Sequence, residues 1–134
     1  KVTFLGTVYY MSPERVRGEP YRYDSDIWSL GLVVVECLSG RYPYTNGDHG
    51  SMRQLSFWEL MRRIVEQEAP RLSSGAAYSP ELQDFVQKIL QKEPRNRLSA
   101  AMMKTHEWLR GPPSSVQLQE LAAWISGDAV ASVA

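Results

Sequence analysis

Gly6-Thr7-Val8-Tyr9-Tyr10-Met11-Ser12-Pro13-Glu14, followed after a short polar stretch by Asp24-Ser25-Asp26-Ile27-Trp28-Ser29-Leu30-Gly31, is the part of this chain on which the fold turns. Pro13, Gly18 and Pro20 punctuate the residues before Asp24, which therefore read as mostly irregular, with one brief helical turn over Pro13 to Arg17. Asp24 or Ser25 is placed to cap a helix that runs to about Ser39, where Gly40 supplies a left-handed stop. Ile27, Trp28, Leu30, Leu32, Val33, Val34, Val35 and Leu38 make this helix apolar nearly all round, the pattern of a helix buried on every side. Cys37 lies in the same run and reads as a buried, inert thiol.

Downstream, the helices announce themselves one by one. Ser56 and Glu59 form a capping box that opens a helix stopping before Pro70, with Phe57, Trp58, Leu60, Met61, Ile64 and Val65 on a broad apolar face. Ser79 as N-cap and Pro80 in the first turn open the clearest helix, in which Leu82, Phe85, Val86, Ile89 and Leu90 make one core-facing stripe. Lys92-Glu93-Pro94 ends it, a further helix spans about Ser99 to Leu109, and Gly111-Pro112-Pro113 breaks the chain again. Val116, Leu118, Leu121, Ala122, Trp124 and Ile125 then pattern a final amphipathic helix. Alternating strand patterns are missing throughout, so an all-α fold class is expected.

The 134 residues suffice for one modest core. Fifteen basic residues balance fifteen acidic ones, so no overall field attracts nucleic acid or an anionic membrane. No apolar run approaches the roughly 18 residues a membrane span needs, and no secretory leader appears; an intracellular, soluble, cytoplasmic protein is expected. One cysteine makes neither an internal disulfide nor a metal site, and His49 and His106 have no spacing partner, so no metal is expected.

Phe4-Leu5-Gly6-Thr7, Tyr10-Met11-Ser12-Pro13-Glu14-Arg15, Ser25-Asp26-Ile27-Trp28-Ser29-Leu30-Gly31, Gly40-Arg41-Tyr42-Pro43-Tyr44 and Glu93-Pro94-Arg95-Asn96-Arg97-Leu98 together resemble a protein kinase. They are similar to the end of the activation segment and the large-lobe helices of the MAP kinase kinases, whose segment closes with Ser-Pro-Glu-Arg. The resemblance implies an all-α fragment, the helical part of the large lobe of an α+β kinase fold. Residues 1–110 would belong to the kinase domain and 111–134 to a C-terminal tail with a docking helix. Of the kinase signature set, the Gly-rich loop, the strand Lys, the His-Arg-Asp loop and the Asp-Phe-Gly have no counterpart in these residues. The chain is therefore expected to bind no cofactor and transfer no phosphate by itself, ATP and Mg²⁺ belonging to the complete kinase.

The same resemblance assigns roles residue by residue. Glu14 is expected to be held by Arg97 in a buried architectural pair, although each taken alone reads as a solvated charge. Asp26 would accept hydrogen bonds from the backbone of the catalytic loop; the plainer reading is a carboxylate favoured by the helix dipole. Thr7 would touch that same loop, and Val8, Tyr9, Tyr10 and Met11 would shape the pocket for the residue after the phosphoacceptor. Thr3 is either an ordinary loop hydroxyl or an activating phosphorylation site. Phe57, Trp58 and Met61 are core or docking residues, and Leu121, Trp124 and Ile125 either cap the lobe or dock an upstream activating kinase. The implied partners are a MAP kinase substrate and that activating kinase; the alternative is a non-catalytic helical interaction module or decoy.

Overall fold

The computed structural model describes residues 8–45, 56–73, 77–110 and 115–126. Thr3, Thr7 and the side chain of Trp124 lie outside the described residues. Among the described residues the helices run in order as α1 Pro13–Val16, α2 Asp24–Ser39, α3 Phe57–Glu66, α4 Pro80–Ile89, α5 Ala100–Lys104 and α6 Ser115–Ser126, with short 3₁₀ turns at Pro94–Asn96 and Glu107–Leu109. There is no strand among the described residues, so the molecule is the all-helical fold that the patterning predicts.

Helix α2 is the axis of the core. Trp28, Leu32 and Val35 are buried on it, and they meet Leu82, Phe85, Val86, Ile89 and Leu90 of the α4 stripe. Close approach of the two helices depends on Gly31, where a Cβ would lie 2.7 Å from Cγ and Cδ2 of Leu90. Gly40 ends α2 at φ 69°, in the left-handed conformation that glycine adopts without a Cβ penalty. Leu60 and Ile64 of α3 complete the core from a second side.

Caps at the other helices follow the expected chemistry. The hydroxyls of Ser56, Ser79 and Ser99 accept from the backbone N–H groups of Glu59, Leu82 and Met102, each satisfying one orphan donor of a first turn.

Three expectations are corrected. Helix α2 is not buried on every side: Leu30 and Val33 are each 41% exposed, and Cys37 on the same face is exposed rather than buried. Its apolar circumference exceeds the contact area that α4 and the flanking loops provide among the described residues. Neither Asp24 nor Ser25 caps it, because Tyr23 occupies the N-cap, Ser25 turns its hydroxyl to Glu14, and Asp24 accepts from the backbone of Arg22.

Of the two readings open for Phe57 and Trp58 on α3, core or docking, the structure places both largely outside the core, in edge-to-face contact with one another at 5.2 Å, while Leu60 and Ile64 point inward. Third, the helix expected over Ser99 to Leu109 breaks at Thr105. The imidazole of His106 accepts from the Trp108 N–H through Nδ1 and meets Asp84 through Nε2 at 2.9 Å, so it caps a new 3₁₀ turn instead of continuing α5. With Nδ1 accepting, the proton of the neutral ring sits on Nε2 and is donated to the Asp84 carboxylate.

Candidate functional site

The segment Val8–Met11 lies on α2 and is held there mainly by its backbone. The hydroxyl of Ser29 donates to the Tyr10 carbonyl at 2.7 Å, and the Tyr42 hydroxyl, from the loop after α2, donates to the Tyr9 carbonyl. Tyr10 donates its own hydroxyl to Glu36 of α2 at 2.6 Å, a bond that, with burial, pushes the phenol up to about 12. Tyr9 and Tyr10 each meet the Tyr42 ring edge-on, at 5.5 and 5.9 Å, and Tyr44 flanks it at 6.0 Å. Val8 and Tyr9 are buried, Tyr10 and Met11 half-buried. The substrate-pocket residues expected from the sequence are thus one short platform with an aromatic underside.

Immediately after it, Pro13 starts α1 and presents Glu14 to the interior. Arg97 Nη1 and Nη2 donate to Glu14 Oε1 and Oε2, both at 2.7 Å, across 83 positions of sequence. Both side chains are buried, and Ser25 donates a further hydrogen bond to Oε1 at 2.7 Å. Burial alone would raise the Glu14 carboxyl, yet the guanidinium of Arg97 and the hydroxyl of Ser25 hold it down at about 2. The remaining Arg97 donors reach the carbonyls of Gln91, Lys92 and Asp24. All five guanidinium N–H groups are therefore used, the condition under which a buried charge pair is favourable rather than costly.

Trp28, fully buried, is flanked by two cations: the guanidinium of Arg97 lies 5.2 Å and the ammonium of Lys92 5.8 Å from its ring centroid. Lys92 donates to the carbonyls of Ile64 and Val65, orphan acceptors at the end of α3. Burial, with Arg17 nearby, pulls its ammonium down to about 8. One short stretch, 91–97, therefore ties α1, α2 and α3 together.

Other expected site residues are dispersed. Asp26 is exposed on the first turn of α2, apart from the Glu14 cluster, and no described residue hydrogen-bonds its carboxylate. Trp58 is 78% exposed, Phe57 is 44% exposed and Met61 is half-buried on α3; Leu121 and Ile125 are exposed on α6. Among the described residues no group of three or more His, Cys, Asp or Glu is placed to hold a metal ion, and no helix is long and apolar enough to cross a membrane. An ATP–Mg²⁺ site needs metal-holding carboxylates, and no such cluster is found among the described residues. Ser25, Ser29, Tyr42 and Lys92 were missed by sequence reasoning. Ser25 and Ser29, inside Ser25-Asp26-Ile27-Trp28-Ser29-Leu30-Gly31, and Tyr42, inside Gly40-Arg41-Tyr42-Pro43-Tyr44, lay in stretches already singled out for the kinase resemblance; Lys92 did not.

A buried carboxylate at the close of a loop, locked by a distant arginine beneath a helix centred on Trp28, defines a class. The protein kinase domain family matches residues 1–109, and the chain belongs to it. Within that family the chain is similar to mitogen-activated protein kinase kinase 2 of Arabidopsis thaliana, at 49% identity over 107 residues, 80% of this chain and 29% of that protein. It is also similar to mitogen-activated protein kinase kinase 1 of the same plant, at 44% identity over 81% of this chain and 30% of that protein. The serine/threonine-protein kinase PAK mbt of Drosophila melanogaster is 38% identical over 84% of this chain and 17% of its own length. The chain thus spans about three-tenths of the MAP kinase kinases it matches.

Proposed function

We propose that this chain is the substrate-side part of a MAP-kinase-kinase-like protein kinase which, when complete, transfers the γ-phosphate of ATP to Thr and Tyr of a MAP kinase. The observation that supports this most is the Glu14–Arg97 joint: it fastens the end of Val8–Met11 to the helical base. In that reading residues 1–110 are the C-terminal portion of the kinase domain, residues 111–134 are a tail, and the protein works in the cytoplasm. Val8, Tyr9, Tyr10 and Met11 receive the residue after the phosphoacceptor, and Thr7 reaches toward the catalytic loop. Thr3 is the site at which an upstream kinase activates the enzyme. Leu121, Trp124 and Ile125 are where that kinase docks, and the exposed face of Leu30 and Val33 is covered by the remainder of the domain.

ATP and Mg²⁺ supply the phosphoryl group and its charge neutralisation from outside these residues; what this chain contributes is orientation of the protein substrate. Full-length protein, activated and given Mg²⁺-ATP, is expected to phosphorylate a kinase-inactive MAP kinase on both Thr and Tyr, read by phosphosite mass spectrometry. Absence of label from every MAP kinase tried overturns the proposal. The 134 residues alone are expected to transfer none. A second reading, a non-catalytic interaction module, draws on the exposed Phe57–Trp58 pair. Reading the coding sequence ahead of Lys1 separates the two, since the kinase requires Asp-Phe-Gly and His-Arg-Asp there.

A further inference from the structure

Of two buried tyrosines after α2, one has a hydrogen-bond partner for its hydroxyl among the described residues and the other has none. Tyr42 and Tyr44 are 3% and 2% exposed, their rings are 6.0 Å apart, and burial pushes both phenols up, so each is a neutral O–H donor near neutral pH. The Tyr42 hydroxyl donates to the carbonyl of Tyr9, at the centre of Val8–Met11. Among the described residues the Tyr44 hydroxyl, buried, has no hydrogen-bond partner. Of the hydrogen bonds that fix this segment, those from Ser29 and to Glu36 run to α2, whereas that from Tyr42 comes from a loop outside the helix. Tyr42 also lines a cleft of about 490 Å³ with Arg41, Pro43, Thr45, Arg71 and Tyr78.

We propose that Tyr42 is a positioning residue for the protein substrate: its hydroxyl sets the height of the Tyr9 carbonyl, and with it the surface that Val8–Met11 offers. The proposal rests on the kinase reading above for its substrate and on the hydrogen bond alone for its geometry. Losing one donor weakens the hold on a buried backbone carbonyl, so removing one oxygen atom from Tyr42 loosens the segment without opening a cavity. Removing the matching atom from Tyr44 deletes a hydroxyl with no partner among the described residues and leaves the segment where it is.

Tyr42→Phe and Tyr44→Phe in the full-length kinase test this with two measurements. In steady-state kinetics, Tyr42→Phe is expected to raise KM for the MAP kinase substrate roughly fivefold, the factor for one buried hydrogen bond, while KM for ATP and kcat hold and Tyr44→Phe matches wild type. A fall in kcat with both KM values unchanged, the result of lost folded enzyme, overturns it. In hydrogen–deuterium exchange, the peptide covering residues 8–16 is expected to exchange faster in Tyr42→Phe alone. Equal exchange in wild type and Tyr42→Phe, or equal acceleration in both variants, overturns the positioning role. If wild-type enzyme phosphorylates no MAP kinase, the kinase reading fails while the exchange measurement still decides the role of Tyr42.

Discussion

Glu14 with Arg97 and Glu59 with Arg62 and Arg63 are the same chemistry in two settings. The first pair joins residues 83 positions apart, with both side chains buried. The second is a cluster within α3, at 3.0 Å, in which Arg62 is 61% exposed. Arg63 and Arg62 hold the Glu59 carboxyl below its ordinary range, as Arg97 does for Glu14, so the direction of a shift does not distinguish the two. What distinguishes them is water. On α3 the Glu59–Arg62 contact is open to solvent, which already stabilises both of its charges, and that pair adds little to the fold. At Glu14 both side chains are shut off from solvent, and losing either partner strands the other.

The largest expected effect tests that difference directly. Arg97→Met in the kinase domain is expected to cost about 3–5 kcal/mol, read by chemical denaturation, and pairing it with Glu14→Gln should return part of the loss because no stranded charge remains. An effect below about 1 kcal/mol for the single change breaks the comparison. Arg97→Lys should recover little, since an ammonium cannot reproduce a planar five-donor fork. Next in size is Gly31→Ala, expected to cost about 1–3 kcal/mol by driving a methyl into Leu90.

Acid titration sharpens the contrast further. The Glu14 carboxyl sits at about 2 against an ordinary 4.5, so its contribution is complete above the unfolded value and drains away as pH falls from about 4.5 toward 2. Thermal midpoints of wild type should therefore fall more steeply over that window than those of Glu14→Gln. Ser79→Ala, which removes the cap of α4, is expected to cost about 1 kcal/mol. Smallest of all, Glu59→Gln should leave the midpoint unchanged within error in ordinary salt, since its carboxylate is solvated on α3.

How far these regions were legible in the sequence follows from the range of the interactions that build them. Helix starts at Ser56, Ser79 and Ser99 depend on a hydroxyl and an N–H in the same turn, so a local pattern suffices. The α4 stripe is legible for the same reason. Coverage is not local: Leu30, Val33 and Cys37 look as apolar as Trp28 and Leu32, and only the packing partner decides which face meets it. The break at Thr105 escaped notice because it depends on His106 finding Asp84 on α4. Glu14 and Arg97 were paired only through family likeness, since a gap of 83 residues carries no periodic signal.

Arg97 also has a bearing on how the molecule comes apart. Its five N–H groups end on Glu14, Asp24, Gln91 and Lys92, which belong to α1, the start of α2 and the stretch after α4. None of these segments can lift away without leaving a buried donor or acceptor bare in the others. Fluctuations that in a looser loop would be local are thus converted into a shared, cooperative opening, so the end of Val8–Met11 stays closed until much of the core lets go. Slow exchange at Val16 and Arg17, whose N–H groups donate to Ser12 and Pro13, is the expected mark of that coupling, matched by the buried amide of Leu90 at the end of α4.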